Sequence, residues 1–126
     1  MQIIDTHAHI LPRDWPNLAE RYADPRFPWI DHSEGRHRIY KDGRFFREIP
    51  TRTWDAEERI ADYARFGVEV QVISTVPVMF CYWAAGQQAL ELHRALNEHS
   101  ADICRRHPQH YHGLGTVPLQ DPQLAI

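Results

Sequence analysis

Hydrophobic residues Ile3 and Ile4 open the chain and give way to Asp5, His7 and His9, three polar residues spaced two apart. In a strand that spacing puts all three side chains on one face. The period changes near Trp54. Ile60, Tyr63, Ala64 and Phe66 recur at intervals of three and four, Asp55 and Glu58 have capping-box spacing, and Gly67 suits a helix end, which predicts a helix over 55–66. Val68 to Ser74 is β-branched and largely apolar, the pattern of a second strand, and Pro77 interrupts any further ladder. Ala89, Leu92, Leu96 and Ile103 form a helical stripe between about Gly86 and Arg106, closed by Pro108. A third short strand is expected from Tyr111 to Val117. Strand, helix, strand, helix, strand with short connections implies parallel pairing through right-handed crossovers.

Residues 10–53 break this rhythm. Pro12, Pro16, Pro25, Pro28 and Pro50 fall in or beside it with Trp15 and Trp29, and no helical period is sustained. Within the stretch, Arg36 to Lys41, Asp42-Gly43 and Arg44 to Glu48 match a hairpin with a two-residue type I′ turn. Connections this long are usually lids or binding elements. At the other end, Asp121-Pro122 reads as an N-cap followed by proline in a first turn, opening another helix just before Ile126. Three parallel strands leave two unpaired edges, whereas an eightfold barrel of roughly 250 residues hides them. The expectation is therefore an α/β chain forming about the first three βα units of a TIM-like (β/α)8 barrel. Residues 1–126 would be a single incomplete domain, with 10–53 inserted after the first strand.

Composition narrows the partners. With 126 residues, a formal charge of −3 and a pI near 6.3, nothing favours nucleic acid or an anionic membrane surface. No apolar run has the length of a membrane span, and Met1-Gln2-Ile3-Ile4-Asp5 lacks the form of a secretion signal, so a cytoplasmic location is expected. Cys81 and Cys104 have neither metal-site nor redox spacing, and both are read as spectators. Lys41 is the single lysine of the chain.

The chemistry concentrates in His7-Ala8-His9 at the C-terminal end of the first strand, where barrel enzymes place catalytic groups. Two residues along a strand span about 6.6 Å, and both imidazoles can reach inward to one ion at roughly 2.0 to 2.1 Å. Ala8 then points away and Asp5 shares the inward face. A bare histidine pair is ordinarily two polar residues near a strand end; its place on the first strand, ahead of a long loop, makes the ligand reading the stronger one.

Four stretches carry a resemblance: Ile4 to Pro12, Lys41 to Arg47, Ser74 to Trp83 and Gly113 to Pro118. On these the chain resembles the aminocarboxymuconate-semialdehyde decarboxylase family of the amidohydrolase superfamily. The histidine pair marks the superfamily, and the run from Ser74 to Trp83 the branch. The resemblance implies Zn2+ or another divalent metal held by His7 and His9 with a histidine and an aspartate from later strands, and no organic cofactor. It implies non-oxidative decarboxylation of 2-amino-3-carboxymuconate 6-semialdehyde or a similar acidic ring-cleavage product of tryptophan catabolism, in a homodimer. It makes Arg47 a substrate-binding residue, with Lys41 ranked below it because an unbulged hairpin would put the two on opposite faces. Met79, Phe80 and Trp83 are candidates for an apolar wall of the substrate pocket. His32, His37, His93, His99, His107, His110 and His112 match no ligand of the family and are read as surface or helix residues. A metal-dependent amide or lactone hydrolase is the alternative on the same fold. An inactive fragment or assembly module with exposed strand edges is the alternative from another class.

Overall fold

The computed structural model describes residues 3–126. Strand β1 (Ile3–Ile10) is followed by the short helix α1 (Leu18–Arg21), then by strands β2 (Trp29–Asp31), β3 (Arg38–Lys41) and β4 (Arg44–Glu48). Helix α2 (Ala56–Ala64), strand β5 (Val68–Thr75), helix α3 (Gly86–Arg106) and strand β6 (Tyr111–Gly113) complete the chain. Two sheets result: a parallel one in the order β1-β5-β6, and an antiparallel one in the order β2-β3-β4. The parallel sheet with intervening helices is the expected α/β arrangement. Among the described residues no helix is long and apolar enough to cross a membrane.

One face of the parallel sheet is covered by helices. Ala8 and Ile10 of β1 and Ile73 of β5 pack with Ala56, Ile103 and Tyr111 in a buried cluster. The Tyr111 hydroxyl donates to the Ala56 carbonyl at 2.8 Å, satisfying its polar end inside that cluster. The strand period then turns His7, His9, Val72 and Ser74 away from the helices, and these are partly or wholly exposed.

The insertion shares a second core with the loop after β5 and with α3. Leu11, Leu18, Phe27, Ile39 and Ile49 pack against Met79, Cys81 and Ala84, and against Ala89, Leu92 and Leu96 of α3. The antiparallel sheet is thereby seated over the loop that leaves the C-terminal end of β5.

Local chemistry explains the boundaries. Asp55 caps α2 by accepting from the Glu58 amide at 2.8 Å, while the Glu58 carboxylate takes the Thr51 hydroxyl, so only half of a capping box forms. Asp42 and Gly43 both have positive φ, 55° and 68°, as a type I′ turn requires. Helix α1 and strand β2 lie in 10–53 ahead of the expected hairpin, where no sustained helical period is present and no further strand was expected. Trp29 stacks on Tyr40 across β2 and β3 at 4.7 Å, a pairing that no short-range period reveals.

Two expectations are corrected at the C-terminal side. Strand β6 stops at Gly113 and not Val117, because the Asn97 side chain from α3 takes over Thr116: its Nδ2 donates to the Thr116 carbonyl at 2.7 Å and its Oδ1 accepts the Thr116 amide at 2.8 Å. Asp121 caps a single turn rather than a helix, accepting from Gln123 N at 3.2 Å while Leu124 N donates to the Asp121 carbonyl at 3.0 Å.

Candidate metal centre

The end of β1 is bulged. Asp5 pairs with Gln71 and Ala8 with Ile73, so Thr6 and His7 together stand opposite Val72. The irregularity re-aims His7 without breaking the convergence that the two-residue spacing predicts. Nε2 of His7 and Nε2 of His9 lie 3.1 Å apart, with the rings edge to face at 87°. Asp5 does not join them, because the bulge interrupts the alternation and its Oδ1 accepts the His7 amide at 3.0 Å. Among the described residues no group of three His, Cys, Asp or Glu side chains could hold a metal ion.

Residues at the end of β5 decide which nitrogen of His9 is available. Its Nδ1 lies 3.2 Å from the Thr75 carbonyl oxygen and 3.0 Å from Ser74 Oγ. A carbonyl only accepts, so Nδ1 carries the proton and Nε2 presents a bare lone pair. That lone pair faces His7 Nε2. Two tetrahedral ligands at about 2.05 Å from one ion stand about 3.3 Å apart, close to the observed separation, so the donor set fits a divalent metal.

Beside the pair opens a cavity of about 480 Å³ whose lining includes His9, Arg47, Arg52, Arg59, Tyr63 and Val76. The guanidinium groups of Arg47 and Arg52 beside His9 suit an anionic guest, since arginine's planar fork matches a carboxylate. Arg47 is exposed on β4. The hairpin is bulged at Phe46, so Ile39 pairs with Arg47 and Lys41 with Arg44, which returns Arg47 to the face of Lys41. Lys41 nevertheless does not line the cavity; it lies close enough to Cys81 to act on that thiol electrostatically. Burial dominates there and pushes the Cys81 thiol up to about 12, which leaves it inert as a nucleophile.

Met79, Phe80 and Trp83 stand apart from the cavity. Met79 is fully buried in the insertion core, and the half-exposed Trp83 packs on Phe27 at 4.8 Å with the Arg26 guanidinium 4.2 Å above its ring. Phe80 contributes its carbonyl, which accepts from Nε2 of His93 at 3.0 Å. His93 is a helix residue, as expected, buried in α3, and its Nδ1 meets Thr116 Oγ1 at 2.9 Å. His32 and His37 pair through their Nδ1 atoms at 2.8 Å against Trp54, within the insertion.

Arg59 is the residue at this site that sequence reasoning missed. It is only 6% exposed, and its Nη1 donates at 3.1 Å both to the His9 carbonyl and to the Arg52 carbonyl. The signal was present, for Ala56, Arg59, Ile60 and Tyr63 share one helical face, and an arginine on an apolar stripe points inward.

No protein-family model matches the chain. It is 44% identical over 124 residues to a protein of Dictyostelium discoideum named 2-amino-3-carboxymuconate-6-semialdehyde decarboxylase, covering 98% of this chain and 34% of that one. A Caenorhabditis elegans protein of the same name is 41% identical, again over 98% of this chain and 31% of its own length. The chain thus spans about a third of the curated relatives it matches. Among solved structures, Metarhizium anisopliae IDCase in apo form superposes with a TM-score of 0.68 at 16% identity, over 96% of this chain and 36% of that one. A Staphylococcus aureus protein assigned as an amidohydrolase gives 0.61 at 22% identity, over 99% and 31%. These structures show the fold alone: a partial α/β barrel of the amidohydrolase type, about a third of the neighbours' length.

Proposed function

We propose that this chain, 44% and 41% identical to two proteins named 2-amino-3-carboxymuconate-6-semialdehyde decarboxylase, belongs to that family and forms the metal-holding opening segment of a non-oxidative decarboxylase. The observation that carries this reading is the pair of Nε2 atoms of His7 and His9, 3.1 Å apart at the mouth of the parallel sheet. In this proposal the ligand set is completed by a histidine and an aspartate from later strands of the same barrel, and the full-length protein is a homodimer. When bound, Zn2+ or another divalent ion supplies Lewis acidity and lowers the pKa of bound water toward 7, and no organic cofactor is needed.

The chain's own residues bind and orient. The substrate is 2-amino-3-carboxymuconate 6-semialdehyde or a similar acidic ring-cleavage product of tryptophan breakdown. Arg47 holds one of its carboxylates from the cavity wall, with Arg52 beside it, and Lys41 adds positive charge further along the hairpin face. Tyr63, Val76 and Ile39 line the same cavity and exclude water, which strengthens those charge-assisted contacts. Met79, Phe80 and Trp83 keep a supporting part, shaping the loop on which the insertion rests.

The test is the complete product of the gene that carries this chain, assayed for carbon dioxide release from the semialdehyde. Release abolished by chelation and restored by Zn2+ is the expected result. Turnover of amide or lactone substrates without carbon dioxide release would instead favour a metal-dependent hydrolase.

A further inference from the structure

We propose that Arg59 is the positioning residue of the metal pair, acting through the main-chain carbonyl of His9 and not on the substrate. The inference rests on the reading of His7 and His9 as metal ligands and assigns the device that holds one of them in place.

Arg59 projects from α2 into the space where three segments meet. Its Nη1 donates at 3.1 Å to the carbonyl of His9 at the end of β1 and at 3.1 Å to the carbonyl of Arg52, at the turn before α2. Its Nη2 donates at 2.8 Å to Oε1 of Gln71, which is itself buried on β5. These acceptors are all neutral, two carbonyls and an amide oxygen. Burying a guanidinium against neutral acceptors costs desolvation that an apolar side chain of similar volume would avoid. Its Nε adds to that cost, being buried without a hydrogen-bond partner. Filling space is therefore a poor account of this arginine.

What the planar fork does supply is orientation. Its donors point in fixed directions, so β1, β5 and the return of the insertion are locked at one angle to each other. His9 is then gripped at two points: its carbonyl by Arg59, and its ring by Ser74 and Thr75. Two-point fixation determines where Nε2 lies, and a metal site tolerates little error in that position. The guanidinium also borders the cavity shared with Arg47, so helix, ligand and substrate wall are joined by one side chain.

The experiment uses the full chain with Arg59→Lys, Arg59→Met and, as a stability control in the helix layer, Ile103→Val. At a fixed pH of about 8, two-bond imidazole ¹H–¹⁵N spectra report the tautomer of His9, whose signals are identified by their loss in His9→Gln; Co2+ titration reports the affinity of the pair. The wild type should show a single Nδ1–H tautomer. Arg59→Lys keeps the charge but loses the fork, and should mix the tautomers and weaken Co2+ binding by about 10- to 100-fold. Ile103→Val should lower the melting temperature and change neither readout. Should Arg59→Met fail to fold, Arg59→Lys alone decides. The proposal is overturned if Arg59→Lys retains the wild-type tautomer and affinity, or if Ile103→Val disturbs both equally. A tautomer shift in Arg59→Lys when even the wild type binds no Co2+ would remove the metal reading and leave the positioning role standing.

Discussion

The Thr75 carbonyl oxygen lies 3.2 Å from Nδ1 of His9, and this one contact fixes which ring nitrogen is free for chemistry. Ser74 Oγ shares the same nitrogen at 3.0 Å, so β5 holds the ring of a residue on β1. Ser74→Ala should therefore weaken divalent-metal binding by only about 10-fold, because the Thr75 carbonyl still orients the ring. Cobalt titration followed by its visible absorption measures this; an affinity equal to wild type would show the hydroxyl to be idle.

Arg47 is exposed and lines the cavity beside His9, so its contribution should appear in binding and not in folding. Arg47→Ala is expected to change unfolding free energy by less than about 0.5 kcal/mol. Binding of a small dicarboxylate such as glutarate should weaken by about 10-fold or more, the loss of a charge-assisted hydrogen bond. Calorimetric titration and urea unfolding on the same samples separate the two effects.

Burial holds the imidazole of His93 below its usual 6.5, and His99 is shifted in the same direction for the same first cause. As pH falls below 6.5 the unfolded chain takes up these protons while the folded chain does not. Stability is thus full above 6.5 and is lost as pH drops from there toward the folded values. Urea unfolding between pH 8 and pH 5 should show this decline. His93→Gln should flatten part of it, and at pH 8 should cost about 1–3 kcal/mol because Thr116 Oγ1 or the Phe80 carbonyl loses its partner. A His93→Gln profile as steep as wild type would assign the effect to His99.

Gly43 sits at φ 68° in the hairpin turn, and a Cβ there would meet Pro25 only at an ordinary 3.7 Å. The cost of Gly43→Ala is therefore backbone strain alone, about 1–2 kcal/mol. Urea unfolding should register it, and Arg47 should then bind dicarboxylate less tightly because its strand is less firmly registered. Unchanged stability would mean that the turn relaxes to another type.

The sequence by itself determined what depends on neighbours along the chain. The two-residue period of His7 and His9, the stripe of Ala89, Leu92, Leu96 and Ile103, and the Asp42-Gly43 turn are local patterns, and each produced the element expected of it. Only tertiary structure decided what depends on distant partners. The bulge opposite Val72 removed Asp5 from the histidine face, and the bulge at Phe46 brought Arg47 round to the face of Lys41. Asn97 ended β6 from across a helix, and Arg59 reached the carbonyl of His9 from 50 positions away. Local periods fix which way a side chain starts, because they follow from backbone geometry. Which acceptor it finds is set by segments that approach only when the helices cover the sheet.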